Sequence, residues 1–144
     1  LWTAVQSSFS LPDHEDHPKV QKQIAWYQSH KTALEHTLLR AKPYLYFIHQ
    51  TIQQHQLPGE MILIPIIESE YSPFAYSWAG ATGLWQMMPG TASGMRLKIN
   101  WWVDERRDII QSTHAALNYT AYLKDFFKNN WLHKIYCSIS HILT

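Results

Sequence analysis

A seven-residue apolar run that ends in a single carboxyl group constrains the fold of this chain more than any other feature. The run covers residues 61–67, and Glu68 follows it directly. Such a run has to be buried, so Glu68 is carried out of a hydrophobic segment. Burial disfavours the charged form of a carboxyl group, and the sequence therefore predicts that Glu68 keeps its proton near neutral pH.

The stretch after this acid is rich in aromatic rings and small residues. Its first aromatic residues are Tyr71, Phe74, Tyr76 and Trp78. The rings of Tyr71, Trp78 and Trp85 are candidates for stacking on sugar faces, although each ring taken singly is more typical of a hydrophobic core. The amide of Gln86 can donate to and accept from an N-acetyl or hydroxyl group, and Ser77 can hydrogen-bond the acid or an amide. Together these side chains indicate a groove that binds sugar.

Length and composition limit the possible function classes. The chain has 144 residues, enough for one domain with a real core, and 46% of them are hydrophobic. The net charge of +1 and the lack of a Lys/Arg cluster argue against nucleic-acid binding. The longest apolar run is too short to span a bilayer, and no signal-peptide pattern opens the chain. The single cysteine, Cys137, excludes a disulfide within the chain.

The first part of the chain is predicted to be helical after an extended N-terminal segment. Residues 1–18 contain two prolines and the run DHEDH, which argue against regular structure. Residues 19–42 carry apolar residues at helical spacing, with a break at which Thr32 and Glu35 form a capping box. Pro43 is predicted to begin a further helix, which ends at the Leu-Pro-Gly sequence that follows it.

Residues 59–70 are predicted to form a short, almost fully buried helix, because apolar residues lie on every side of it. A buried strand is the alternative. Pro65 fits neither element well, since it would kink a helix and would remove a ladder hydrogen bond from a strand. The helix is favoured because the neighbouring segments are helical and no partner strand is evident.

The second part is predicted to be irregular over 71–86, briefly helical over 89–95 and a loop over 100–107. Asp108 is a good N-cap for a long helix to about Lys128, after which one more helix is expected. The buried face of the long helix is predicted to consist of Ala115, Ala116, Leu117, Tyr119, Tyr122, Leu123 and Phe126. The chain is therefore expected to be mainly α.

The carboxylates are sparse around Glu68. No Asp occurs between Asp16 and Asp104, and Glu70, two residues on, points to a different face of a helix. Ordinary glycosidases place two carboxyl groups across the scissile bond. Sugar chemistry here would therefore use one acid that later acts as a base, which suits attack by a hydroxyl of the substrate itself. The alternative for Glu68 is a structural acid at a helix end.

Two histidines of the N-terminal segment, His14 and His17, are candidate metal ligands. No further ligand spacing accompanies them, so a solvated turn is the favoured interpretation. The sequence implies no metal and no organic cofactor.

Two motifs resemble those of lytic transglycosylases of the soluble-lytic-transglycosylase (SLT) type, which are related to goose-type lysozyme. They are Glu68-Ser69 after the apolar run, and Gly83-Leu84-Trp85-Gln86 followed by Met87-Met88-Pro89-Gly90-Thr91. Acid, turn and glutamine stand at the family's spacing, and the similarity covers residues 1–133. The resemblance implies a mainly α, lysozyme-like domain over residues 19–144.

The same resemblance implies an enzyme that acts on peptidoglycan in the periplasm or envelope of a Gram-negative bacterium, and we expect a monomer. Members of the family cleave the β-1,4 bond between N-acetylmuramic acid and N-acetylglucosamine and leave a 1,6-anhydro end. By this resemblance Glu68 is the general acid and then the base. Ser77 and Gln86 match substrate-binding positions, and Met87 or Trp85 would line the cleft.

The sequence departs from the family near its end. After the long helix the family carries an alanine-tyrosine-asparagine motif whose tyrosine belongs to the active site, whereas here NWLH is followed by KIYCSISHILT. Tyr136 lies two residues before the matching position, about 200° away around a helix. We therefore expect a domain truncated at its C-terminus. The alternative function is an inactive remnant that at most binds glycan strands, and a hydrolytic lysozyme, which needs an activated water, ranks third.

Overall fold

The computed structural model of the protein describes residues 1–128. Within them the chain forms α-helices joined by irregular segments and two short 3₁₀ helices, and the prediction of a mainly α fold is confirmed. The α-helices are α1 (Trp2–Gln6), α2 (Pro18–Ser29), α3 (Lys31–Gln54), α4 (Ile64–Ser69), α5 (Pro89–Gly94) and α6 (Ile109–Phe127). The 3₁₀ helices are Gly59–Leu63 and Glu105–Arg107. Over the same residues the backbone forms isolated antiparallel bridges but no strand.

The N-terminal segment is not extended throughout, because it opens with the one-turn helix α1. Val5 of this helix is fully buried, which explains why the turn forms against the rest of the protein. The segment then reaches the first 3₁₀ helix, where the Gly59 N–H donates to the Ser8 carbonyl at 3.1 Å. A Cβ at Gly59 would collide with Ser8, so the two backbones approach as closely as they do because this residue is a glycine.

The predicted break between two helices is confirmed, but its details differ. His30 is both the C-cap of α2 and the N-cap of α3, without a side-chain capping bond, so the predicted capping box of Thr32 is wrong. Pro43 lies inside α3 and does not begin a new helix. The residues Ala41, Leu45, Ile48 and Ile52 bury one continuous face of α3. Burial of that face outweighs the one hydrogen bond that Pro43 removes.

The apolar segment before Glu68 is helical, as favoured, but it consists of a 3₁₀ turn followed by α4. Pro65 is tolerated because it lies in the first turn of α4, where the backbone N–H has no partner within the helix. The segment is less buried than predicted. Met61 and Ile62 are buried, whereas Ile67 is 59% exposed beside Glu68.

The predictions for the second part are largely confirmed. Residues 71–88 are irregular, α5 begins at Pro89, and the Asp108 carboxylate caps α6 by accepting from the Gln111 N–H at 2.8 Å. The predicted loop over 100–107 contains the second 3₁₀ helix.

The buried face of α6 is narrower than predicted. Ala115, Ala116, Leu117 and Leu123 are buried. Tyr122 and Phe126 are 56% and 64% exposed, and their rings stack on each other with centroids 5.9 Å apart. The helix expected from Trp131 and the departure around Tyr136 lie outside the described residues.

The core joins α3, the first 3₁₀ helix and α6. Its largest fully buried side chains include Tyr71, Ile48, Ile52, Ile62 and Leu84. No helix in the described part of the chain is both long enough and apolar enough to cross a membrane.

Candidate functional site

Glu68 lies in the last turn of α4 with its side chain partly buried. Its Oε1 atom is buried and has no hydrogen-bond partner among the described residues. Burial raises the pKa of this carboxyl group from 4.5 to about 7. The cause is loss of hydration alone, since no neighbouring charge contributes to the shift.

The backbone after Glu68 turns sharply and holds the acid at a helix end. Glu70 and Tyr71 both adopt left-handed conformations, with φ of 50° and 59°, which cost side-chain-bearing residues about 1–2 kcal/mol each. The strain is offset by specific contacts. The Ser69 hydroxyl donates to the Leu84 carbonyl at 2.8 Å, and the Arg40 guanidinium binds both the carbonyl and the carboxylate of Glu70 at 2.8 Å.

Glu68 lines a cavity of about 750 Å³. One wall is formed by α4 and the first 3₁₀ helix, and the other by the N-terminal segment and the start of α2, including Phe9, Leu11 and Val20. Because most of the lining is apolar, the cavity reduces the hydration of the Glu68 carboxyl group.

Three further carboxyl groups line the same cavity, those of the exposed Asp13 and Glu15 and that of Glu60, which was not singled out from the sequence. Its Oε1 accepts from the N–H groups of Ser10 and Leu11, both at 2.8 Å. This carboxylate therefore fastens the N-terminal segment over the cavity. No sequence pattern shows this contact, because the partners are 50 and 49 residues apart.

Gln86 lies in the turn beside α4 and is buried, 4% exposed, in a left-handed conformation with φ of 46°. Its side-chain amide donates to the carbonyls of Gly83 and Ala75, at 2.8 and 3.2 Å. In this structure the amide braces the turn that carries it. Its predicted contact with substrate stays a prediction.

The other candidate ring and thioether side chains near the turn are also packed. Tyr71 is fully buried and its hydroxyl donates to the Ile62 carbonyl at 2.6 Å, while the Trp85 indole N–H donates to the Thr113 hydroxyl at 2.9 Å. Met87 is 6% exposed. The structure thus places these three side chains in the core, where they support the site from beneath, and it offers no free ring face at Tyr71 for stacking on sugar.

The loop between Glu68 and Gln86 exposes different aromatic rings. Phe74, Tyr76 and Trp78 stand at alternate positions and are 73%, 66% and 107% exposed. Ser77 lies between them, and its hydroxyl accepts from the Ala81 N–H at 3.0 Å, so it closes the loop tip. The exposed rings of this loop therefore belong to Phe74, Tyr76 and Trp78, and none of them lines the cavity at Glu68.

Arg106 holds this loop to the rest of the site. It is 6% exposed, and its guanidinium donates to the carbonyls of Gly80 and Met87, at 2.8 and 3.1 Å. It also binds both carboxylate oxygens of Asp104, at 2.9 and 2.7 Å. A Cβ at Gly83 would collide with the Arg106 carbonyl, and the φ of 83° at Gly83 also favours glycine. This network was not predictable, since nothing in the sequence distinguishes Arg106 from an exposed arginine.

Comparison with known proteins identifies the family. The sequence profile described as "Transglycosylase SLT domain" matches residues 45–137. The chain belongs to the transglycosylase SLT domain family. Within this family, the mainly α arrangement of the described residues agrees with the lysozyme-like fold expected from the sequence.

Two curated relatives extend the comparison of this SLT domain. It is 35% identical to "Membrane-bound lytic murein transglycosylase D" of Escherichia coli (strain K12) over 134 residues, which are 92% of this chain and 29% of that protein. It is 42% identical over 113 residues to a protein of Alteromonas sp. (strain M-1) whose name refers to tributyltin chloride resistance. That alignment covers 78% of this chain and 50% of the relative, so the chain spans half or less of the length of either protein.

The match to the SLT profile begins after the first two helices. The cavity wall formed by Phe9, Leu11 and Val20 therefore lies outside the matched residues, although it faces the acid. Among the described residues of this SLT domain, no group of three or more His, Cys, Asp or Glu side chains is placed to hold a metal ion.

Proposed function

We propose that this chain is a lytic transglycosylase of peptidoglycan, which cleaves the β-1,4 bond between N-acetylmuramic acid and N-acetylglucosamine and forms a 1,6-anhydro end. The single observation that carries the proposal is the partly buried Glu68, with a pKa of about 7, at the edge of a cavity. Family membership and the name of the Escherichia coli relative support the choice of substrate.

The proposed reaction needs a carboxylic acid that is protonated before bond cleavage and ionised after it. Glu68 gives its proton to the glycosidic oxygen, and the bond from that oxygen to C1 of the muramic residue breaks, with the electron pair staying on the oxygen. The C6 hydroxyl of the same muramic residue then bonds to C1, and its proton goes to the Glu68 carboxylate. A pKa near the working pH suits both steps.

Besides Glu68, the cavity is lined by the carboxyl groups of Glu60 and of the exposed Asp13 and Glu15, and the contacts of Glu60 favour a mechanism with one acid. An inverting or retaining hydrolase uses a second carboxylate as a base for water or as a nucleophile. Glu60 is occupied with the N–H groups of Ser10 and Leu11, and its Oε2 is buried. Attack by a hydroxyl of the substrate itself requires no second carboxylate.

The remaining site residues act, in this proposal, through the loop that follows Glu68 along the chain. Ser77 and Gln86 hold the loop closed, and Met87 and Trp85 pack beneath it. Tyr71 fixes the turn after the acid from within the core. The glycan would then lie against the exposed rings of that loop, in the envelope compartment that contains peptidoglycan, with the protein acting as a monomer.

The test compares the protein with Glu68→Gln on purified peptidoglycan, with the released muropeptides analysed by mass spectrometry. We expect anhydro ends from the unmodified protein and a loss of at least about 100-fold in Glu68→Gln, since general acid–base groups contribute about 10²–10⁴. Glu35→Gln is the matched control, because Glu35 is exposed on α3 and lies outside the cavity, and it should keep activity.

Three outcomes would contradict the proposal. Products one water heavier would indicate a hydrolase. No release by the unmodified protein, together with retention on peptidoglycan in a pull-down, would indicate a glycan-binding remnant. Equal activity in Glu68→Gln would remove Glu68 from the mechanism.

A further inference from the structure

Two tryptophan side chains stand in solvent at the tip of a hairpin over residues 99–104, here called the Trp hairpin. Trp101 and Trp102 are 89% and 87% exposed. A large apolar ring in water is unfavourable, and contiguous exposed apolar groups mark surfaces that contact something else. The proposed reaction at Glu68 gives these two rings no part.

The Trp hairpin has a well-defined turn. The Asn100 N–H donates to the Val103 carbonyl at 2.8 Å, and the Asn100 Oδ1 accepts from the N–H groups of Trp102 and Val103, both at 2.9 Å. Ile99 and Asp104 pair across the base as an antiparallel bridge. The two indoles are therefore presented by a backbone whose polar groups at the turn are satisfied.

The base of the Trp hairpin is also fastened to the body of the protein. The Asp104 carboxylate binds the buried Arg106, and the Glu105 N–H donates to the Lys98 carbonyl at 3.0 Å. The Glu105 carboxylate accepts from the Lys98 N–H at 2.7 Å. The base of the Trp hairpin is thus held in place by hydrogen bonds to a buried side chain and to its own flanking residues.

The neighbours of the two indoles are aliphatic residues and charged residues of both signs, and the carboxylates of Asp104 and Glu105 are engaged in the contacts of the hairpin base. Ile99 and Val103 are 39% and 46% exposed. Lys98 precedes the hairpin in the sequence and Arg107 follows it, both are exposed, and the charge of Arg107 helps to lower the pKa of the Asp104 carboxyl group. Within residues 1–128, no salt bridge involves Lys98 or Arg107.

We propose that the Trp hairpin docks the protein on an anionic lipid bilayer, with the indoles of Trp101 and Trp102 in the headgroup interface and Lys98 and Arg107 against the headgroups. Indole rings favour this interface because they join a large apolar body to one N–H donor. Basic residues beside them are attracted to anionic lipid.

The aliphatic side chains favour lipid over glycan as the partner. Ile99 and Val103 gain free energy in an acyl environment, whereas a sugar face stacks on flat rings. The loop with Phe74, Tyr76 and Trp78 is the contrasting case, because its other residues over 72–82 are small, polar or proline and carry no charge. Lipid docking does not depend on the proposed reaction at Glu68, so an experiment that contradicts one proposal leaves the other standing.

The test measures cosedimentation of the protein with vesicles of phosphatidylglycerol and phosphatidylcholine, and with vesicles of phosphatidylcholine alone. We expect binding to the mixed vesicles, and about a tenfold fall in the partition coefficient for each of Trp101→Ser and Trp102→Ser, from the lost burial of one ring. Lys98→Gln and Arg107→Gln should each lower binding to the mixed vesicles about fivefold and leave binding to phosphatidylcholine unchanged.

Trp26→Ser is the matched control, because Trp26 is 49% exposed on α2 and stacks on His30. It should bind vesicles like the unmodified protein. Thermal unfolding should be unchanged in the Trp101 and Trp102 variants, since the replaced rings lie in solvent.

The proposal is overturned if the unmodified protein does not sediment with mixed vesicles, or if Trp101→Ser and Trp102→Ser bind them as well as it does. It is also overturned if these two variants lose binding to purified peptidoglycan and keep vesicle binding, because the hairpin would then be a glycan surface.

Discussion

Two carboxyl groups of this protein, Glu68 and Asp104, have pKa values shifted in opposite directions, because burial raises both and only Asp104 has an arginine partner that outweighs it. Glu68 has a buried oxygen without a partner, and its pKa rises to about 7. The Asp104 side chain is 22% exposed, and hydrogen bonds from Arg106 hold its pKa below 3.8. Burial without a cation produces a proton donor, whereas burial with an arginine produces a permanent anion. A proton donor suits acid catalysis, whereas a permanent anion suits a structural ion pair.

The largest effect is expected from removing the cation. Arg106→Met leaves the Asp104 carboxylate without its partner and the carbonyls of Gly80 and Met87 without a donor. Breaking a buried ion pair in this way costs about 3–5 kcal/mol of the free energy of unfolding, which urea titration measures. Arg107→Met, at the exposed neighbour, should stay within about 0.5 kcal/mol. A loss below about 1 kcal/mol in Arg106→Met would show that the network is not structural.

Removing the anion should have a smaller effect that depends on pH. Asp104→Asn keeps one acceptor for Arg106 and should cost about 2 kcal/mol at neutral pH, from the lost charge-assisted bonds. Because the pKa of Asp104 is lowered on folding, its stabilisation is present above pH 3.8 and disappears as pH falls through the lower folded value. The two proteins should therefore converge in acid. A constant difference down to the lowest pH at which both fold would contradict the ion pair.

The pH dependence of the proposed reaction tests Glu68 directly. A general acid must be protonated in the free enzyme, so kcat/KM should fall about tenfold per pH unit above about 7. Initial rates of anhydro-product release, measured on both sides of pH 7, give this fall of kcat/KM with pH. If kcat/KM already begins to fall near pH 4.5, the pKa of an unburied glutamate, the carboxyl group is hydrated in solution.

The smallest effect is expected on stability at Glu68 itself. Its pKa is raised on folding, so the folded state binds more protons between pH 4.5 and about 7, and the unmodified protein loses stability as pH rises through this window. Glu68→Gln cannot ionise and should be relatively more stable above pH 7 than below 4.5. We expect a change within about 1 kcal/mol, because the side chain is only partly buried and solvent weakens the cost. The opposite sign in urea titrations would indicate a stabilising partner for the carboxylate.

The boundaries of regular structure followed from local sequence where local chemistry controls them. The Asp108 cap of α6 and the start of α5 at Pro89 were predicted because a cap or a first-turn proline acts within a few residues. Pro43 was misjudged because the buried face of α3, formed over the whole fold, overrides one missing hydrogen bond. Val5 folded α1 against the core for the same reason.

In the candidate site, too, some features were predictable from local sequence and others were not. The position of Glu68 after an apolar run was sufficient to predict a raised pKa, but the run itself is only partly buried, and the N-terminal segment supplies the other apolar wall beside the acid. Which aromatic rings are free was not predictable. Tyr71 and Trp85 carry hydroxyl and N–H groups that find partners inside, while Phe74 and Trp78 stay outside.

By itself, the sequence determined the mainly α fold, the family motifs and the acid, because each depends on residues that are neighbours along the chain. Only the tertiary structure decided that Glu60 closes the N-terminal segment over the cavity and that Arg106 joins two loops, since their partners are distant in sequence. The physical reason is that a hydrogen bond forms wherever folding brings donor and acceptor together, and the sequence does not show which distant groups become neighbours.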